Sequence, residues 1–78
     1  MKQQQTLILT PVKQRRLSEV REELLNEGRK RNIYDSTLVT INPWRRTLAV
    51  TSDSYEFINE IIANRNYSVI PIILPILN

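Results

Sequence analysis

Trp44 stands beside Arg45 and Arg46, and Lys13, Arg15 and Arg16 lie close together after Pro11. An indole flanked by guanidinium groups can stack on a nucleobase or fill a pocket on a partner protein, and Trp and Arg dominate binding hot spots. The second set of chemically capable side chains is Glu19, Glu22, Glu23 and Glu27. Their i, i+3 and i, i+4 spacing puts carboxylates on one helical face, a pattern that can serve acid–base chemistry or a hard cation. With Arg15, Arg21 and Arg31 on the same segment, they read as an ion-paired, solvated surface. Asp35, Ser52, Asp53 and Ser54 read as turn and cap residues, and none of them has a base to activate a nucleophile.

Two zeros narrow the chemistry further. The 78-residue chain has no Cys and no His, which removes His-based general base catalysis, the common nucleophile pairs and nearly all zinc ligand sets. Its one glycine, Gly28, excludes Gly-rich phosphate loops. The expectation is a non-enzymatic binding protein with no catalytic residue, no metal and no cofactor. A chain of this length buries only about 60–65% of its unfolded surface and supports one core, so residues 1–78 are read as a single domain with residues 1–5 as a flexible arm. Only Leu7 to Leu9 are apolar near the start, and the apolar run Val69 to Leu77 is broken by Pro71 and Pro75. Neither is a signal sequence or a membrane span, and a cytoplasmic location is expected.

The elements that must position these residues follow from periodicity. Thr6 to Thr10 has strand composition. Thr10-Pro11 looks like a helix N-cap followed by proline at the first helical position. Leu17, Val20, Leu24 and Leu25 continue at helical spacing to Gly28, which suits a left-handed helix end, so a helix is predicted over about residues 11–30. Thr37 to Asn42 and Arg46 to Thr51 form a hairpin through Asn42-Pro43-Trp44-Arg45. Asp53 and Glu56 give a capping-box pattern for a second helix carrying Tyr55, Ile58, Ile61 and Ile62. Tyr67 to Leu74 closes the chain as a strand with Ile70, Ile72 and Leu74 on one face.

The resulting order β-α-β-β-α-β predicts an α+β, ferredoxin-like two-layer sandwich: a four-stranded antiparallel sheet in order 4-1-3-2 with two helices on one face. A helix or strand exchanged between two chains is the competing arrangement. The last strand is then an edge, where prolines are tolerated.

This topology gives the net charge of +3, from 11 Lys+Arg and 8 Asp+Glu, a direction. The start of the first helix, the hairpin turn and the link into the last strand share one end of the sheet. Lys13, Arg15, Arg16, Trp44, Arg45, Arg46 and Arg65 therefore gather into a basic pole. Three cations in a helix's first turn would oppose its dipole at about 0.3–1 kcal/mol each, a local rule broken where function is often found. Glu19 is the expected partner of Arg15. Trp44 either folds back over the rim or stands free at the tip. Arg29-Lys30-Arg31 agrees with the dipole at the helix's other end and reads as structural.

The uncovered sheet face is expected to display Ile8, Leu38, Ala49, Val69 and Ile73 among threonines, with Tyr67 near the rim. It lacks the stacking aromatics of a nucleic-acid-binding sheet and suits self-association. The reading is a protein-interaction module, acting as a regulator or inhibitor and forming a homodimer through its sheet face or last strand. Its basic pole docks an acidic partner surface; the alternative is a nucleic-acid or nucleotide binder that uses the same pole with Trp44 stacking.

Overall fold

The computed structural model describes residues 4–72. Strand β1 (Gln5–Pro11) leads to helix α1 (Leu17–Lys30), a single 3-10 turn (Tyr34–Ser36), strands β2 (Thr37–Asn42) and β3 (Thr47–Ser52), helix α2 (Tyr55–Ala63) and strand β4 (Tyr67–Ile72). All pairings are antiparallel and the sheet order is β2-β3-β1-β4, the expected order read from its other edge. Alternation along the strands sends Leu7, Leu9, Val39, Leu48 and Val50 to one face. There they meet Val20, Leu24 and Leu25 from α1 and Phe57, Ile58 and Ile61 from α2 in a single core. Each such side chain contributes about 1.5–3 kcal/mol when fully buried, and this packing determines which helical stripes face inward. Gln5 belongs to β1, paired with Ser52, and not to an arm.

The first helix begins six residues later than its sequence signals predict. Thr10 and Pro11 remain in β1, because the ladder with β4 runs on to Pro11 opposite Tyr67 and Val12 N–H donates to Asn66 O at 2.9 Å. Two long-range strand pairings outweigh a local capping signal, and a proline at a strand terminus removes no ladder bond from the middle of the sheet. Arg16 occupies the N-cap without a side-chain cap, and the first turn carries Glu19. Lys13 and Arg15 therefore lie in the connecting loop. The predicted clash of three cations with the helix dipole does not arise.

The helix end also differs from expectation. Gly28 is buried inside α1 with no positive φ; the left-handed residue is Asn32, at φ 60°. Ile33 N–H donates to Gly28 O at 2.9 Å and Asn32 N–H to Arg29 O at 3.1 Å, the two bonds of a Schellman end with Asn at its left-handed position. Helix α2 is capped one residue later than predicted, by Ser54, whose hydroxyl accepts from Phe57 N–H at 3.3 Å.

Strand β4 presents the face opposite to the predicted one. Paired residues share a face, and Leu9 opposite Val69 and Pro11 opposite Tyr67 turn Val69 and Tyr67 toward the core. Ile8 opposite Ile70 leaves Ile70 on the open face, 65% exposed. Ile73, Leu74 and Pro75 lie outside the described residues.

At the end of the sheet away from the hairpin, polar groups are buried in a closed chain. Thr37 hydroxyl donates to Ile33 O at 2.8 Å, so it must accept from Ser52 Oγ, 3.1 Å away, and Ser52 Oγ in turn accepts from Ser54 N–H at 3.2 Å. One proton per hydroxyl fixes the direction throughout.

Candidate binding surface at the hairpin end

The β2–β3 hairpin ends in a four-residue loop closed by Asn42 opposite Thr47. Asn42 Oδ1 accepts from the backbone N–H of Trp44 at 3.1 Å and of Arg45 at 3.2 Å, so a side chain supplies the turn's hydrogen bonds. Arg46 then takes φ 56° to lead the chain into β3. A left-handed conformation costs a non-glycine residue roughly 1–2 kcal/mol. The indole of Trp44 is 94% exposed and stands free of the rim.

Three chain segments meet at this end. The β1–α1 loop passes beside the hairpin, and an open groove of about 260 Å³ is lined by Pro11, Val12, Lys13, Arg15, Arg45 and Arg46 among others. The α2–β4 link, with exposed Arg65, joins on the β4 side, where Asn66 O accepts from Val12 N–H. The fold therefore brings together the predicted pole residues Lys13, Arg15, Arg16, Trp44, Arg45, Arg46 and Arg65.

Their roles divide sharply. Arg15 is tied to Glu23, two turns along α1, and not to Glu19: both terminal nitrogens donate, Nη1 to Oε2 at 3.0 Å and Nη2 to Oε1. The hydrogen bonds hold the Glu23 carboxyl below its ordinary pKa and raise that of Arg15. Arg15 thus anchors the loop to the helix. Among the described residues, Lys13, Arg16, Arg45, Arg46 and Arg65 have no ion-pair partner, and all are exposed. Every described cation away from this end is engaged. Arg21 meets Glu22 and Val39 O, and Lys30 meets Glu27. Arg31 meets Glu27 and Glu60, while Arg29 bonds Asn26 and lies 4.6 Å from the Tyr34 ring centre. The Arg29-Lys30-Arg31 run is engaged with its own helix and its neighbours, and among the described residues the cations with no hydrogen-bond, ion-pair or aromatic partner of their side chains lie at the hairpin end.

A second groove, about 270 Å³, separates the helices and is lined by Glu23, Glu27, Arg31, Glu60 and Tyr67 among others. Burial first, then the charge of Glu23, pushes the Tyr67 phenol above its ordinary pKa, with Arg15 opposing. Among the described residues no group of three or more His, Asp or Glu side chains is placed to hold a metal ion, and no helix is long and apolar enough to cross a membrane.

Of the residues predicted for self-association, Ile8 and Leu38 stand on the open face, Tyr67 and Val69 turn inward, and Ile73 is outside the described residues. Sequence reasoning missed Asn42 and the backbone of Arg46. Asn-Pro at a turn start is a recognisable signal for the first; arginine gives no signal for a left-handed residue. No family model matches this sequence, and comparison with curated proteins and with solved structures finds no match.

Proposed function

We propose that the chain is a non-catalytic, cytoplasmic interaction module of ferredoxin-like build that regulates or inhibits a partner by docking Trp44, Arg45 and Arg46 on an acidic protein surface. The observation that carries this reading is the backbone of Arg46. It holds a left-handed conformation that glycine would adopt without strain, at an exposed position where its side chain makes no ion pair among the described residues. Strain kept at an exposed cation is explained by what the cation binds. Trp44, unburied beside it, supplies apolar area with little entropy to lose, and the unpaired Lys13 and Arg16 extend the positive field around it.

The test is capture of partners from native cytoplasm on the immobilised chain, with and without nuclease. A nuclease-resistant partner lost on exchanging Arg45 and Arg46 for Glu supports the reading; undiminished capture by that variant overturns it. The second reading, a nucleic-acid or nucleotide ligand, rests on the free indole face beside unpaired guanidinium groups. It requires oligonucleotide affinity that falls log-linearly with salt and a change in Trp44 fluorescence on binding.

A further inference from the structure

The open face of the sheet carries no charged residue at any described strand position, in a chain of which 24% is Asp, Glu, Lys or Arg. Thr6, Thr10, Thr40, Thr47 and Thr51 are spread across it. Between them stand Ile8, Ala49, Leu38 at 64% exposure and Ile70 at 65%. A solvated sheet face ordinarily alternates apolar-in with polar or charged-out. The two edges, by contrast, are guarded. Arg21 Nε donates to Val39 O at 3.1 Å, covering a carbonyl of edge strand β2, and edge strand β4 contains Pro71, which brings no N–H. Strand addition at either edge is thus opposed, while no charge at the described strand positions opposes contact through the face.

We infer that this face packs against the same face of a second copy, in a two-fold dimer whose axis runs parallel to the strands. A neutral surface of hydroxyls and aliphatics meets itself without like-charge repulsion, and each threonine both donates and accepts, so an isologous contact can satisfy itself. An acidic partner has no cation to pair with here. The register adds shape. Thr40, Ala49, Ile8 and Ile70 form one row across β2, β3, β1 and β4, small on one half and large on the other. A two-fold axis along the strands lays β1 over the partner's β3 and β4 over the partner's β2. Ile8 then sits over the partner's Ala49, and Ile70 over the partner's Thr40. Large meets small across the whole row, and the two sheets pack aligned as in a sandwich.

Strand spacing of about 4.8 Å and a rise of about 3.4 Å per residue give the face a footprint of roughly 400 Å² per copy. That is about half the usual protein–protein contact area, so the dimer is a weak one with dissociation in the micromolar range. Both basic poles lie at the same end of this dimer, on sheets about 10 Å apart. Screening over a Debye length of about 8 Å at physiological salt relieves their repulsion, so added salt tightens the dimer. The pole's own contacts with an acidic partner weaken under the same change, which keeps the two readings separable.

Sedimentation velocity on the full chain, from about 10 to 500 µM, is the first test and spans the range expected for so small an interface. The expected result is a reversible monomer–dimer equilibrium that tightens with salt, with Ala49→Arg and Thr40→Lys each weakening it at least about tenfold, the size of effect a charge buried against an apolar face produces. Circular dichroism confirms that the variants fold. The chain has no Cys, so a bis-maleimide spanning about 10 Å, the spacing of packed sheets, joins only separate copies when Ile70→Cys and Thr40→Cys chains are mixed, and 70–40 products should exceed 70–70 and 40–40 products, whose positions are three strands apart laterally. A monomer throughout the concentration range, a dimer indifferent to both charged variants, or a predominance of 70–70 cross-links overturns the inference.

Discussion

Asn42 folds its side-chain carbonyl back over the hairpin and receives the backbone N–H of Trp44 at 3.1 Å. The same oxygen receives Arg45 N–H at 3.2 Å. A free indole on a floppy tip would lose much of its binding energy to ordering on contact, whereas this turn fixes the backbone beneath it in advance. Asn42→Ala removes both bonds and leaves every pole side chain in place. Partner capture should fall several-fold while thermal stability drops by only about 1 kcal/mol or less, because the tip is solvated. Unchanged capture would mean that the rigidity of the turn is irrelevant to binding.

Arg46→Gly should separate stability from function. Relief of the left-handed strain, partly offset by the greater freedom of glycine in the unfolded chain, should raise stability by about 0.5–1 kcal/mol. Binding through the pole should weaken at the same time. Paired thermal melts and capture assays check both signs, and a variant that is stabler and binds fully would show that the strain has no functional reason.

Gly28 tolerates a side chain. A Cβ placed there would meet Tyr34 Cα at 3.8 Å, an ordinary van der Waals distance, and its φ is not positive. Gly28→Ala in the interior of α1 should therefore stabilise the fold by about 0.5–1 kcal/mol in chemical denaturation, through helix propensity alone.

Ser52 is fully buried and sits in the middle of the hydroxyl chain from Ile33 to Ser54. Ser52→Ala leaves Ser54 N–H without its acceptor just where α2 begins and should cost about 1–3 kcal/mol. Thr37→Ala removes the neighbouring link, and the two losses should be less than additive in a double variant, as for residues in one network.

Acid should loosen the β1–α1 loop. Arg15 lowers the folded-state pKa of Glu23, so the pair's contribution is fully present above the unfolded carboxylate value of about 4.3 and is lost as pH falls through the lower folded value. In pH-dependent melts the Arg15→Gln variant should lack this component at pH 7, with its curve converging on that of the unmodified chain in strong acid. A constant difference between the two curves across that range would show that Arg15 contributes through packing alone.

The strand β2, from Thr37 to Asn42, is legible from β-branched residues bounded by turn formers, and the sheet order follows from crossover handedness once the elements are in sequence. The pole is legible for the same reason: topology alone decides that residues 12–16, 43–46 and 64–66 share an end. The start of α1 is not legible, because Thr10-Pro11 carries a strong helix signal and only the distant pairing with Tyr67 overrules it. The face of β4 fails differently. Val69, Ile70 and Ile72 are all apolar, so the sequence offers no alternation, and register with β1 decides which side turns inward. The partner of Arg15 is missed because the carboxylate of Glu23, eight residues away and able to accept from both terminal nitrogens, outcompetes the nearer Glu19 once the arginine leaves the helix.

The loop of Pro43 to Arg46 draws its hydrogen bonds from Asn42 and contributes nothing to the buried core. Its side chains are therefore free of the core, and the one backbone demand in the loop is the left-handed conformation at position 46. On the proposed docking reading, one scaffold would be retargeted by exchanging a single short insert that keeps this conformation. Binding specificity in such a lineage would drift faster than architecture, and a designer could follow the same route by grafting new four-residue tips between Asn42 and Thr47.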